Sequence, residues 1–253
     1  MPSGPQDSPE LSPELSVVVP VRDEADNVAP LVAEIEAALA AVCAFEIVYV
    51  DDGSRDGTAE RLRALRAKTP RLRVVRHRES CGQSQAVATG VKAARAPIIA
   101  TLDGDGQNDP ADIPRLLNRL REEPVESRDR LLVAGQRLKR RDTAVKRFSS
   151  RIANAVRGRL LGDHTPDTGC GLKLFTRAAF LDMPRFDHMH RFLPALMIRQ
   201  GGHVVSLPVN HRPRERGRSK YGMWDRLWVG IVDLFGVMWL QSRATHPMIE
   251  PDA

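Results

Sequence analysis

The sequence predicts an α/β fold: a mainly parallel sheet with helices on both faces, followed by an amphipathic helix near the C-terminal end. Three observations predict it. Short runs such as 16–21 (SVVVPV) and 46–50 (EIVYV) are apolar throughout, as strands buried on both faces must be. These runs alternate with stretches of helical periodicity, the pattern of a sheet wound with covering helices. Acidic, glycine-containing turns follow the second and fourth runs, at the sheet edge where ligands collect in such folds.

Taken in order, residues 1–14 (MPSGPQDSPELSPE) hold Pro and Ser but no apolar stretch. They read as a disordered lead-in and not as a signal peptide. The strand at 16–21 leads into a helix over about 27–42, and the strand at 46–50 ends in Asp51-Asp52-Gly53-Ser54 before a helix over 58–68. A weaker strand at 73–77 precedes a helix over 83–94. The buried-type strand 98–102 (IIATL) runs directly into DGDGQNDP, after which a helix over 111–122 and a strand at 131–134 follow. Residues 137–159 are rich in Arg and Lys with apolar residues at helical spacing, which reads as a solvated amphipathic helix.

Composition narrows the function classes. With 42% hydrophobic residues in 253, the chain can bury a full core, which excludes wholesale disorder. Its 38 basic and 32 acidic residues leave a net charge of +6, favouring anionic partners without choosing among them. Nucleic acid is not expected, because neither a DNA-binding motif nor interleaved stacking aromatics accompany the basic stretch. Three cysteines, Cys43, Cys81 and Cys170, lie far apart without metal-ligand spacing, which argues against a disulfide scaffold and for a reducing compartment. No segment has the uninterrupted apolar length that spans a bilayer, so the expected place is cytoplasmic.

The acidic turns carry the first candidate site. Asp103 and Asp105 stand two apart, and in extended backbone such side chains point the same way, so both can face one ion. Gln107 continues the spacing with a neutral oxygen. Few, hard oxygen ligands suit Mg²⁺ or Mn²⁺ shared with substrate phosphates. Asp109 before Pro110 reads as a helix cap. An EF-hand is the rival for DGDGQND, but Pro114 stands where its bidentate glutamate belongs. A second candidate site is basic: Arg212, Arg214, Ser219 and Lys220 share a glycine-containing loop that suits a phosphate.

These motifs, in this order, resemble glycosyltransferase family 2, and within it the polyprenyl-phosphate glycosyltransferases that include dolichol-phosphate mannose synthase. The matching stretches are VVVPVRDE, EIVYVDDGSRDGT, GQSQAVATG, IIATLDGDGQNDP, DTGCGLKLF and RERGRSKYG. The resemblance implies a GT-A (Rossmann-like) nucleotide-sugar fold over 15–220. It implies that Pro20, Glu24 and Asp52 hold the nucleotide's base and ribose. Asp103 and Asp105, with Gln107, would bind the metal and the sugar diphosphate, Asp105 counting as catalytic. Arg137 looks like the family's diphosphate-side arginine, and Asp167 like a catalytic or acceptor-positioning carboxylate. Arg214, Ser219 and Lys220 match the segment that grips the acceptor phosphate. The sequence departs from the family at Arg22 and Asp23, where Tyr and Asn are usual, and at Cys170 and Leu172, where Ser and Phe are usual. Cys170 reads as a small packing residue and not as a nucleophile.

All three tryptophans fall in 221–243. On a helical wheel Trp224, Leu227, Trp228, Ile231, Leu234, Phe235, Met238 and Trp239 share one broad face, with Asp225, Arg226, Gly230 and Asp233 opposite. Trp at the edge of such a face suits the headgroup level of a membrane; packing on the protein's own core, a membrane-protein partner or a second copy is the alternative. Residues 244–253 read as a tail. In DHMHRF, His188, His190 and Arg191 are candidates to shape the acceptor entrance, with ordinary surface positions the preferred reading of the two histidines. The expected function is metal-dependent transfer of a mannose- or glucose-like hexose from a GDP- or UDP-sugar to a dolichyl or undecaprenyl phosphate. It would act peripherally, at the cytoplasmic face of the membrane. Transfer to a sugar or lipid hydroxyl, a sugar-1-phosphate nucleotidyltransferase and a non-enzymatic membrane or nucleic-acid adaptor are the competing readings.

Overall fold

The β-branched runs pair into one seven-stranded sheet. A computed structural model describes residues 12–138, 157–213 and 223–245, with side chains of the last helix from residue 229 onward. The strands are β1 (Leu15–Val21), β2 (Phe45–Asp51), β3 (Leu72–Arg76), β4 (Ile98–Thr101), β5 (Leu131–Arg137), β6 (Lys173–Thr176) and β7 (His203–Val209), ordered β3-β2-β1-β4-β6-β5-β7. β6 runs antiparallel to both of its neighbours and every other pairing is parallel, so the sheet is mainly parallel with one reversed strand.

Side-chain alternation assigns the two faces. Val17, Val19 and Val21 enter one core with α1 (Ala25–Leu39) and α4 (Ile113–Arg121). Val18 and Val48 enter the other with α3 (Gln83–Ala93), α5 (Arg177–Asp182) and α6 (Leu193–Arg199). α2 (Thr58–Arg66) packs beside α1 and β3. Helix α3 approaches the sheet closely at Gly90, where a Cβ would sit 2.4 Å from Val18 Cγ1. The expected helix over 111–122 opens as a 3₁₀ turn at Pro110–Asp112, and Asp109 caps it by accepting from the Ala111 amide at 3.0 Å.

Three expectations change. Arg137 is the last residue of β5 and does not start a helix; of the helix expected over 137–159, residues 139–156 lie outside the described residues and 157–159 are helical. β6 and β7 had no counterpart in the reading of the sequence: β6 is four residues long and opens on a charged side chain, Lys173, and β7 is an edge strand carrying Pro208, where a missing N–H is tolerated. The C-terminal helix, α7 (Met223–Ser242), presents two apolar stripes instead of one face. Val237 is buried in the core beside α6, flanked by Leu234, Met238 and Leu240, whereas Ile231, Val232, Phe235 and Trp239 are exposed. Arg199 Nε donates to the Leu240 carbonyl at 2.9 Å and locks that contact. Asp233 turns toward the protein, with its carboxylate 3.2 Å from His188 Nδ1.

Candidate active site

The parallel strands β1, β2 and β4 end along one edge of the sheet. Because β6 is reversed, it begins where they end: Lys173 pairs across from Thr101 on β4 and Ala134 on β5. The loop 167–172 is thereby delivered to the same edge as Asp52 and Asp103.

Asp103 lies just beyond β4 and lines a cavity of about 370 Å³ with Pro20, Gln83, Arg137, Lys173 and His190. Gln83 Nε2 donates to its carboxylate at 2.8 Å. On the other side the loop passes at Gly171, where an added Cβ would lie 2.3 Å from the Asp103 carboxyl, so only glycine fits. Burial and the like charge of Asp105 push the Asp103 carboxyl up to about 6, against the pull of Lys173, Arg137 and Gln83.

Asp105 does not follow by alternation. The chain leaves extended geometry after Leu102 and turns at 104–105. Asp105 accepts from the Gln107 amide at 3.1 Å and lines a neighbouring cleft with Asn27, Glu34 and Arg212. The two carboxylates stay close enough to repel, but they border different cavities. Gln107, expected as a third oxygen ligand, lines neither; its side-chain amide donates to the Arg212 carbonyl at 3.4 Å, and the Arg212 amide donates to its own carbonyl at 3.0 Å.

Arg137 reaches the Asp103 cavity with its orientation fixed. Its Nε and Nη2 donate to the two oxygens of Asp167, both at 2.7 Å, with only 13% and 8% of the two side chains exposed. Asp167 is itself absent from the cavity wall, which is made by its successors 168–171. The geometry thus makes Asp167 the positioning partner of Arg137. The loop is tied further by Thr101 Oγ1 donating to the Gly171 carbonyl at 2.7 Å and by Lys173 Nζ donating to the Cys170 carbonyl. Cys170 is fully buried, and burial pushes its thiol up, as a packing residue requires.

Asp52 is saturated. Oδ1 accepts from the Cys81 amide and His77 Nδ1, both at 2.8 Å; Oδ2 accepts from Ser80 Oγ at 2.7 Å and the Gly82 amide at 3.0 Å. A carboxylate has about four acceptor positions, and all are taken. Burial alone would raise its pKa, but these bonds prevail and hold it below the usual range. Asp52 therefore knits the loop 77–82 beside the cavity and, in this arrangement, has no acceptor left for the ribose that the resemblance gave it. Pro20 lines the cavity; Glu24 holds Asn27 Nδ2 at 2.6 Å and does not. Arg212 is engaged by Glu34 at 2.7 Å and Asp109 at 2.6 Å, which leaves it an internal tie. Arg214, Ser219 and Lys220 lie outside the described residues.

Several cavity residues escaped the sequence, Gln83, Lys173 and His190 among them. Lys173 is 4% exposed, and its trace in the sequence is a lone cation inside an apolar run. His190, read as a surface residue, instead contributes to the cavity wall.

Residues 16–183, spanning both the Asp103 turn and the Arg137–Asp167 pair, match the sequence model of glycosyl transferase family 2. The chain belongs to that family. As a family 2 glycosyltransferase, it is 35% identical over 236 residues to the dodecaprenyl-phosphate galacturonate synthase of Rhizobium johnstonii, a match covering 91% of this chain and 68% of the relative. It is 36% identical over 208 residues to the undecaprenyl-phosphate 4-deoxy-4-formamido-L-arabinose transferase of Pseudomonas aeruginosa, covering 81% of this chain and 59% of that protein. The curated relatives are thus longer than this glycosyltransferase. Among solved structures, glucosyl-3-phosphoglycerate synthase from Mycobacterium tuberculosis with Mn²⁺, UDP and glucosyl-3-phosphoglycerate superposes with a TM-score of 0.63 at 16% identity, over 93% of this chain and 81% of the other. A mannosyltransferase from Pyrobaculum calidifontis with GDP-Man and Mn²⁺ gives 0.59 at 18% identity, over 95% and 77%. The likeness at that identity is one of fold, GT-A. Among the described residues no helix is long and apolar enough to cross a membrane.

Proposed function

We propose that this chain transfers a glycosyl unit from a GDP- or UDP-sugar to a polyprenyl phosphate, bound peripherally at the cytoplasmic face of a membrane. The observation that carries the reading is the Asp103 cavity, where a carboxylate under like-charge pressure faces a clamped guanidinium and a buried ammonium. The curated relatives, named for products or acceptors that are polyprenyl phosphates, support the acceptor class.

A divalent cation, Mg²⁺ or Mn²⁺, fits the acidic turn. Asp103 is held at a raised pKa partly by Asp105, and a cation held by the two would relieve that repulsion. Asp103 and Asp105 are the residues to hold it; Gln107 would have to leave Arg212 to join them. When bound, the ion neutralises charge on the departing diphosphate. The chain's own contribution is charge and shape. Arg137, aimed by Asp167, and Lys173 balance the diphosphate, while Gln83 and Gly171 fix the Asp103 carboxyl. A phosphomonoester acceptor has a second pKa of ~6 and is largely dianionic at neutral pH, so it attacks without a general base. Asp167, consumed by Arg137, need not abstract a proton. Arg214, Ser219 and Lys220 would grip the acceptor phosphate. The exposed stripe Ile231, Phe235 and Trp239 on α7 would rest in the lipid headgroup region.

The test is isotope transfer from a panel of GDP- and UDP-sugars, with Mg²⁺ or Mn²⁺, onto undecaprenyl phosphate and onto undecaprenol. Transfer to the phosphate alone, abolished in Asp103→Asn, is the expected result. Transfer to the alcohol in preference, or an undiminished Asp103→Asn variant, refutes the reading.

A further inference from the structure

One wall of the Asp103 cavity comes from the turn Met189–Arg191, entered through His188 in the left-handed region at φ 63°. Among the described residues, one hydroxyl of α3 hydrogen-bonds that turn, beside the packing of Met189. Ser84 Oγ accepts from the backbone N–H of His190 at 3.2 Å and lies 2.7 Å from His190 Nδ1. Ser84 is 1% exposed, so its hydroxyl proton must be directed at a protein acceptor. Among the described residues the acceptor it meets is Nδ1. Ser84 thus donates to Nδ1, and the ring hydrogen sits on Nε2, an assignment made from the hydrogen-bond network. Nε2 has no hydrogen-bond partner among the described residues, and the ring lines the cavity.

We infer that His190 is a specificity-determining residue, which reads a hydroxyl of the donor's glycosyl unit through its Nε2–H while Ser84 fixes the tautomer. This rests on the transferase reading above. Three features select a hydroxyl. The ring has no vacant lone pair, because Ser84 occupies Nδ1; it is therefore not poised as a general base. Phosphate charge is already answered by Arg137 and Lys173. Burial, with the positive charges of Arg191 and Lys173, keeps the imidazole neutral, and a neutral N–H matches an uncharged oxygen.

The test compares wild type with His190→Ala, His190→Gln and Ser84→Ala, each checked for an intact thermal transition. The readouts are affinity for UDP and GDP with Mn²⁺, affinity for the corresponding nucleotide-sugars, and kcat and KM for transfer to undecaprenyl phosphate. For His190→Ala the expected result is nucleoside-diphosphate affinity within twofold of wild type and kcat/KM lowered roughly 10- to 100-fold, the effect of one lost hydrogen bond that leaves its partner unpaired. His190→Gln, which keeps an N–H donor, recovers part of that loss. Ser84→Ala lowers kcat/KM by a smaller factor, and the Ser84→Ala/His190→Ala pair is no worse than His190→Ala alone; two merely structural roles would add. A deoxy donor lacking the contacted hydroxyl is discriminated by wild type and not by His190→Ala. Unchanged kcat/KM in His190→Ala, or equal weakening of nucleotide and nucleotide-sugar, overturns the inference while leaving the transferase reading standing. A wild-type protein that binds no nucleotide-sugar and transfers none removes both.

Discussion

Replacing Asp167 with asparagine separates an indirect role from a direct one. The substitution is nearly isosteric, but it removes the charge opposite a guanidinium that is only 13% exposed, and one of two charge-assisted bonds at 2.7 Å. Breaking a buried pair by removing one partner costs about 3–5 kcal/mol, because the remaining charge stays desolvated. The amide oxygen keeps one acceptor for Arg137, which places the loss near 3 kcal/mol. For a domain of this size each kcal/mol moves Tm by about 2–4 °C, so the expected drop is roughly 6–12 °C. Scanning calorimetry measures it. Nucleoside-diphosphate affinity should fall in the same variant, since Arg137 loses its aim, and Arg137→Gln should cost less on the Asp167→Asn background than on wild type. A variant that turns over slowly with Tm within 2 °C of wild type and full nucleotide affinity would show that Asp167 acts directly on substrate, and the reasoning would fail.

Gly171→Ala places a methyl 2.3–2.5 Å from all three Asp103 carboxyl atoms; overpacking of about 1–3 kcal/mol and at least tenfold weaker Mn²⁺-dependent nucleotide binding are expected by calorimetry and titration. Burial, followed by the nearby positive charges, pushes the His190 imidazole down to about 3 from 6.5. The unfolded chain thus takes up that proton first, and the contribution to stability, complete above pH 6.5, is lost as pH falls toward 3; His190→Asn should flatten the pH dependence of urea midpoints across that window. Phe235 and Trp239 are 63% and 60% exposed, and sinking each into lipid is worth up to about 2–4 kcal/mol from the area of an aromatic ring, so Phe235→Glu/Trp239→Glu should abolish co-sedimentation with vesicles while Tm stays within a few degrees. Arg212→Gln loses ties to Glu34 and Asp109 at a site 38% exposed, and about 1 kcal/mol in denaturant melts is expected.

The strands bearing Asp52 and Asp103 were legible because EIVYV and IIATL are apolar without interruption, and the Asp109 cap because Asp-Pro has one local meaning. What depended on direction was less so. Alternation placed Asp103 and Asp105 together, but the chain turns at 104–105, pressed against β1 at Gly104, where a Cβ would lie 2.2 Å from Val21 Cγ1. The resemblance gave Asp52 to the nucleotide, whereas four donors from residues 77–82 consume it. The Arg137–Asp167 clamp joins residues 30 apart, and no local pattern encodes it. His190 looked like a loop residue because the feature that defines it, a buried serine 106 positions earlier, is visible only once α3 is folded against the turn.

The clamp has a mechanical corollary. Its partners stand 30 positions apart, and the strands that bear on them are joined again by the pairing of β5 with β6. The guanidinium is thus aimed by the sheet and not by the backbone next to it, so a substitution that slides β6 along β5 would swing that charge off the cavity without touching either partner, and a packing defect far from the cavity would be felt inside it.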